Sequence, residues 1–229
     1  MKLSLERDVL AQYVARQVSN TFPDGTVTAD AVKPYHERAL ERLEHCLRHV
    51  RAKYFADGGE PTFNHLNTDQ YAMYLYFLSN SIHRMEGNPS LSSKVYALNK
   101  ALHALDVYYE VALPDIFAWQ HPVGTVLGRA KYSNYFFVYQ RCTVGGNLSG
   151  VYPTFDEGVI LYGDTAVVGK THVGKNTWFS LGTKVLDQNI DGNAIVFGRS
   201  PDIITKPAKR SVSQTLFGHD ASLTADGQS

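Results

Sequence analysis

The chain has 229 residues, 44% of them hydrophobic, which is enough for one large domain or two modest ones. Lys plus Arg equals Asp plus Glu at 22 each, so the chain lacks the basic excess of proteins that wrap nucleic acid or anionic lipid. No apolar stretch is long enough to span a bilayer, the segment from Met1 to Val9 has no signal-peptide core, and only Cys46 and Cys142 are present. We expect a cytoplasmic protein without disulfides and without nucleic-acid or membrane partners.

The first hundred residues carry the three-and-four spacing of amphipathic helices. An early helix is predicted from about Leu5 to Val18, and a later one begins near Thr68. Three apolar stripes support this: Leu40, Leu43, Leu47, Val50 and Tyr54; Tyr71, Leu75, Leu78 and Ile82; Leu91, Val95, Leu98, Leu102 and Leu105. The sequence therefore predicts an α-helical domain over residues 1–105.

Beyond residue 106, apolar residues recur at every sixth position. The two series are Val126, Tyr132, Val138 and Val144, then Leu161, Val167, Val173, Phe179 and Val185. Thr165, Thr171, Thr177 and Thr183 each follow a member of the later series by four residues. Counting backward from Val126 adds Gln120, Pro114 and Tyr108 as inward positions. Neither a helix nor a flat strand requires this period, whereas a triangular coil of three six-residue sides does.

The repeat predicts a parallel β-helix over residues 106–204, and hence an α+β fold with an N-terminal helical domain. Val144 and Leu161 are 17 residues apart, so the register breaks between them, and the turn-rich segment 146–150 predicts a loop that leaves the coil. Residues 205–229, rich in Ser, Thr, Ala and Gly, are predicted to form a partly disordered tail.

Two segments resemble those of serine acetyltransferases. His121-Pro122-Val123-Gly124-Thr125-Val126-Leu127-Gly128 is similar to the segment with the catalytic histidine, and Thr143-Val144-Gly145-Gly146 to the glycine turn that follows it. Residues 157–201, with Gly198-Arg199-Ser200-Pro201, resemble the family's closing coils and exit. The resemblance implies a left-handed coil, acetyl-CoA as acyl donor, and a homotrimer with active sites between subunits. Pairing of trimers is left open.

The resemblance identifies His121 as the general base for acetyl transfer to a hydroxyl, a task that suits a histidine because its pKa is near neutral. In the family an Asp lies 15 residues before this histidine, and Asp106 holds that position here. One coil is 18 residues, so we expect Asp106 to lie one layer below His121 and to orient it. Without the resemblance, a solvent-facing histidine and a junction-capping Asp would be the simpler interpretation.

The acyl donor is expected to contact the backbone at small residues, because glycine allows close approach. The predicted contacts are Thr143, Gly145, Gly146, Gly163 and Gly182, with Lys206 near the CoA phosphates. The predicted acceptor contacts are Gln120, Asp69 and Tyr152.

Two departures from the family pattern point to a changed acceptor. Gln120 stands where the family has Asp, and Val151-Tyr152-Pro153 stands where it has the Arg-His-Pro that holds the serine carboxylate. We expect a small acceptor other than free serine, with a sugar hydroxyl of a surface polysaccharide as the candidate.

Three alternatives remain open at this point. The protein could be a true serine O-acetyltransferase of cysteine biosynthesis, or a trimeric scaffold without activity. A metal-dependent hydratase on the same fold would need three histidines, and the predicted β-helix has only His121 and His172. The helical pair His45 and His49 lacks a third ligand, so no metal is predicted.

Overall fold

The N-terminal half of the molecule is helical. The computed structural model describes residues 1–51, 56–57 and 60–218. The helices are α1 (Arg7–Thr21), α2 (Ala29–Leu47), α3 (Thr68–Arg84), α4 (Pro89–His103) and, near the C-terminus, α5 (Val212–Leu216). A small sheet, made of β1 (Lys2–Leu3), β2 (Ala56–Asp57) and β3 (Glu60–Phe63), accompanies them. The predicted stripe residue Tyr54 lies outside the described residues. No described helix is long and apolar enough to cross a membrane.

Side chains and backbone geometry set the ends of α3 and α4, the two helices nearest the site. The Asn67 side chain accepts hydrogen bonds from the first free N–H groups of α3, and Asn88 caps α4 in the same way. Pro89 occupies the first turn of α4, where a missing N–H costs nothing. Ala104 ends α4 in the left-handed conformation, which turns the chain into the second half of the molecule.

The second half is a parallel β-solenoid, which confirms the predicted fold class; its left-handed sense stays a prediction. Side one contains β4 (Phe117–Trp119), β6 (Phe136–Val138), β9 (Val159–Leu161), β12 (Thr177–Phe179) and β14 (Ala194–Arg199). Side two contains β5 (Val126–Leu127), β7 (Thr143–Gly145), β10 (Ala166–Val168) and β13 (Lys184–Leu186). Side three contains β8 (Thr154–Phe155) and β11 (His172–Val173).

The inward residues form three buried columns. They are Trp119, Val138, Leu161, Phe179 and Val196; Leu127, Val144, Val167 and Val185; and Tyr132, Phe155, Val173 and Ile190. The four predicted threonines are also buried, and each Oγ1 donates to the carbonyl three residues earlier. These bonds satisfy polar atoms at the tight corners, so the threonines stabilise the turn from one side to the next.

The first member of the repeat, Val126, and the backward extension from it do not match the inward positions of the structure. Val126 is 40% exposed and its neighbour Leu127 is inward; likewise Trp119 is inward and Gln120 is only half-buried. Pro114 and Tyr108 are half-buried and precede the first strand of the coil. The cause is a longer corner in the first coil, because Trp119 and Leu127 are eight residues apart where later coils have six.

Backbone hydrogen bonds locate the extra residues. Equivalent corner positions are held by Gly124, Arg141, Asp164 and Gly182. The N–H of each of the last three donates to the carbonyl of the residue that precedes the equivalent position one coil below: Arg141 to Val123, Asp164 to Gln140, and Gly182 to Gly163. Between the inward residue and this position, regular coils have two residues, such as Tyr139 and Gln140. The first coil has four, residues 120–123, which we call the corner insertion. His121 lies within it.

The C-terminal segment folds back along the molecule. Strand β15 (Asp202–Pro207) pairs antiparallel with β14, and α5 follows it. Phe217 is fully buried beside Tyr135 and Phe137 and pairs with Val50 just after α2. The predicted boundary at residue 204 falls within β15, and the predicted disorder beyond residue 218 lies outside the described residues.

Candidate functional site

His121 is held in an unusual backbone conformation at the corner insertion. Its φ is +51°, in the left-handed region that is uncommon for non-glycine residues and that Arg141 and Asp164 also adopt at the corners of later coils. Its N–H donates to Asp69 Oδ1 at 3.1 Å, and its carbonyl accepts from Val123 N–H at 2.7 Å. The imidazole is exposed and makes no hydrogen bond with a described residue, so it remains free to meet a ligand.

Asp69 connects the helical domain to the corner insertion. It lies in the first turn of α3, and its carbonyl accepts from Trp119 Nε1 at 2.9 Å while its carboxylate holds His121. Burial raises the pKa of this carboxyl above its usual value, against the lowering effect of the His121 hydrogen bond and charge. Asp69 therefore positions the histidine backbone from the neighbouring domain.

A cavity of about 310 Å³ lies between the start of α3, the end of α4 and the corner insertion. It is lined by Thr68, Asp69, Ala101, Leu102, His103, Ala104, His121, Pro122 and Val123. Its polar groups are two imidazoles, one carboxylate and one hydroxyl. The structure thus brings the predicted residues His121 and Asp69 together and adds His103, which had no place in the sequence argument.

Asp106 lies one layer below, but its carboxylate is bonded elsewhere. It pairs with Val126, five residues past His121, and its oxygens accept from Tyr96 Oη at 2.7 Å and Lys100 Nζ at 2.6 Å. Burial opposes ionisation, but these two bonds outweigh it and lower the pKa of Asp106. Among the described contacts, the Asp69 carboxylate bonds the His121 backbone N–H, and the Asp106 carboxylate bonds Tyr96 and Lys100, so the orienting role of Asp106 stays a prediction.

The other predicted acceptor residues lie apart from this cavity. Gln120 adjoins His121 and is half-buried, with its N–H on the Val138 carbonyl. Tyr152, in the loop between β7 and β8, places its ring over Gly128 and Gly146. Since Gly128 follows Leu127 at the end of β5, Tyr152 is at the next corner of the coil from His121.

The predicted donor-binding glycines lie at two different corners. Gly163 and Gly182 stack at the corner of His121, whereas Gly145 and Gly146 are at the following one. The Gly146 α-carbon is covered by Tyr152 and that of Gly163 by Gln140 and Leu181. Gly182 has φ +78° and nothing within 4 Å of an added Cβ, so its corner is open to a ligand.

Thr143 and Lys206 lie on outer faces of the coil. Thr143 is half-buried on side two between Val126 and Ala166. Lys206 is in β15, with Nζ 5.6 Å from the centre of the Phe197 ring. It also lines a cavity of about 500 Å³ beside Trp178 and Arg210, over the outer face of side one. Lys206 is therefore at the last coil, whereas His121 is at the first.

The other histidines considered form no metal-ligating cluster among the described residues. His45 and His49 stack with ring centres 5.0 Å apart, and His172 Nε2 lies 3.2 Å from Asp156 Oδ2 on side three.

The fold has known counterparts. Serine acetyltransferase from Brucella abortus strain S19 in complex with coenzyme A superposes with a TM-score of 0.69, at 16% identity over 91% of this chain and 84% of that one. The enzymes of Vibrio cholerae (TM-score 0.67, 18% identity, 89% and 80% covered) and Neisseria gonorrhoeae (0.66, 17%, 89% and 79%) are similar. No protein-family model and no curated protein matches the chain in sequence. At these identities the likeness establishes a shared fold.

Proposed function

We propose that this protein is an acetyl-CoA-dependent O-acetyltransferase in which His121 is the general base. The observation that carries the proposal is the corner insertion: the exposed His121 imidazole lies there at the wall of the cavity, and Asp69 holds the His121 backbone N–H. A departure from the repeat that carries an exposed histidine beside a cavity is a usual place for a functional site. The CoA complex of the Brucella abortus enzyme, which has the same fold, supports the choice of donor.

The reaction requires one base that acts twice. His121 takes the proton of the acceptor hydroxyl as that oxygen attacks the carbonyl carbon of the thioester. The tetrahedral intermediate then expels the CoA sulfur, and the imidazolium returns the proton to the thiolate. The acetyl ester and free CoA leave, and His121 is neutral again.

The donor is proposed to lie along the corner that stacks above His121. This corner runs from Gly124 through Arg141 and Asp164 to Gly182, three coil steps, or roughly 14 Å. Arg141 and Asp164 neutralise each other through a two-bond ion pair of 2.7 and 2.6 Å. Gly182 supplies the open approach at the far end.

The acceptor is proposed to be a neutral hydroxyl compound, with a sugar of a surface polysaccharide as the candidate. No described residue that lines the cavity is Lys or Arg, and Asp69 adds a carboxylate. A free amino acid would find no cation here for its own carboxylate, and such a partner is worth roughly twice a neutral hydrogen bond. Serine remains the alternative if another subunit supplies that cation.

A homotrimer is part of this proposal. Large apolar side chains are exposed around the same corner and on side two: Val123, Val126, Leu181 and Leu186. Exposed apolar residues that cluster in this way are typical of subunit contacts. A neighbour on this surface would close the donor groove beside His121.

The test is release of free CoA from acetyl-CoA with a panel of L-serine and methyl pyranosides. We compare wild type, His121→Ala and the control His172→Ala, which changes the other solenoid histidine. His121→Ala should reduce release at least a hundredfold, because a general base contributes about 10² to 10⁴ in rate, and His172→Ala should not. Rapid turnover of serine alone would favour the serine alternative. No release with any acceptor, and no CoA binding, would favour the scaffold.

A further inference from the structure

His103 is a second imidazole in the His121 cavity, and its protonation can be assigned from its neighbours. It lies in the last turn of α4 with 8% of its surface exposed, and Nδ1 is 2.7 Å from Asn99 Oδ1. Asn99 Nδ2 donates to the Ala72 carbonyl at 3.0 Å. A carbonyl can only accept, so the amide oxygen must face His103, and His103 must donate from Nδ1.

The remaining nitrogen, Nε2, is then a bare acceptor. It makes no hydrogen bond with a described residue, yet it is not among the buried polar atoms left without a partner, so it is reached from the cavity. Burial lowers the pKa of His103, with a smaller opposing effect from Asn99, so the ring is neutral at physiological pH. In this state Nε2 carries a lone pair and no proton.

Among the polar side chains of the cavity, the Thr68 hydroxyl can donate or accept, and the groups other than it and the His121 ring are acceptors. Besides the His121 ring, it contains His103 Nε2 and the Asp69 carboxylate, whose Oδ1 already accepts from the His121 N–H. A ligand that fits must donate hydrogen bonds from more than one group. A compound with a single hydroxyl could satisfy His121 but would leave His103 Nε2 unpaired, which is costly in a partly desolvated site.

We propose that His103 Nε2 accepts a hydrogen bond from a second hydroxyl of the acceptor and so selects neutral polyols with neighbouring hydroxyls. This inference rests on the proposed function for the identity of the reacting hydroxyl, but not for the binding of the second one. His103 is a specificity-determining residue, while His121 takes the proton.

The variant that isolates this contact is His103→Asn. An Asn side-chain nitrogen can replace Nδ1 and keep the bond to Asn99, while Nε2 is deleted. The matched control is His83→Asn, which makes the same change at an exposed histidine in the last turn of α3. Circular dichroism and thermal unfolding check that both variants fold.

The first measurement is binding, which does not depend on turnover. In protein labelled with ¹⁵N at histidine, long-range ¹H–¹⁵N spectra should show Nδ1 protonated and Nε2 bare in His103. The probes are the methyl pyranosides of glucose, galactose and mannose. At least one should shift the Nε2 resonance of His103, and its analogue without one hydroxyl should not. A protonated Nε2, or no shift with any of the three, would overturn the inference.

The second measurement is catalysis. For the best pyranoside, His103→Asn should lower kcat/KM about tenfold, mainly through KM, as expected for one lost hydrogen bond. The loss should vanish with the deoxy analogue, and KM for acetyl-CoA should not change. An equal loss with both acceptors would contradict selection by His103. If the pyranoside shifts Nε2 but no CoA is released, the proposed function fails and the second-hydroxyl site stands.

Discussion

Asp69 positions the His121 backbone with a carboxylate that is partly buried, and this burial lowers the stability of the folded protein. The same oxygen that holds the His121 N–H belongs to a group whose pKa is raised by burial. Ionised Asp69 is thus less stable in the folded protein than in the unfolded chain. An amide would accept the same hydrogen bond without a charge.

We expect Asp69→Asn to unfold at a higher temperature than wild type at pH 7, since it avoids the buried charge. The folded pKa of Asp69 is raised, so the folded state binds the proton more tightly and wild type gains stability as pH falls. The difference between the two should therefore shrink as pH falls from the raised folded value toward 3.8, the usual Asp value. Thermal unfolding from pH 7 to pH 3.5 measures it.

The control for this prediction is Asp30→Asn. Asp30 holds the second position of α2 as Asp69 does that of α3, but its side chain is 90% exposed. It therefore carries the same interaction with the helix dipole without the burial. If both variants change stability by the same amount, burial is not the cause.

The sequence predicted some of the residues at the candidate site but not all of them. The sequence predicted His121 and Asp69 as site residues, and both line the cavity. It placed Asp106 beside His121 by counting along the chain, but Lys100 and Tyr96 on α4 bind its carboxylate. The sequence did not single out His103: Asn99 lies four residues earlier on α4, but the bond from Asn99 to Ala72 and the cavity at His103 arise only when α3, α4 and the corner insertion pack together.

At the scale of elements, the corner insertion distinguishes the first coil, which carries the proposed base, from the regular coils that follow. Six-residue counting could not find it, because Val126 and Leu127 are both apolar and either fits an inward position. The later coils have no such ambiguity, and Leu161, Val167, Val173, Phe179 and Val185 are all inward as predicted. Trp119 was missed because counting back six residues from Val126 reaches Gln120.

Deletion of Pro122 and Val123 should convert the corner to the regular form while keeping His121 in the chain. Two residues would then separate Gly124 from Trp119, as two residues separate Arg141 from Val138. We expect the variant to keep its circular dichroism spectrum, because regular coils already tolerate this corner. His121-dependent CoA release should fall at least a hundredfold, since the ring would leave the cavity. Retained release would show that the insertion is not needed.

At the scale of the whole molecule, the C-terminal segment runs back from the last coil and contacts the N-terminal helical domain. Solenoids are usually stabilised by contacts between neighbouring coils only. Here β15 and α5 return from the last coil, and Phe217 packs against side one and pairs with Val50 of the helical domain. Composition suggested a partly disordered tail, but the pairing of β15 with β14 and the buried side chains of Val212 and Phe217 fix the course of its described part.

Phe217→Ala should lower the free energy of unfolding by about 3–5 kcal/mol, the usual loss for a buried Phe. The nearby exposed change Thr215→Ala should stay within about 0.5 kcal/mol. Urea unfolding followed by fluorescence measures both. A loss below about 1 kcal/mol for Phe217→Ala would show that the returning segment contributes little.

The corner insertion determines which coil of the solenoid presents the histidine. In a regular β-solenoid the corners of successive coils are equivalent, and an insertion of two residues makes one corner different from the rest. Moving the same insertion up one coil, to follow Val138, would shift the ring about 5 Å along the axis. There it would face neither Asp69 nor His103, which are fixed at the height of the first coil. The location of the proposed base is thus set jointly by the irregular corner of the repeat and by the position of α3 and α4 along the coil axis.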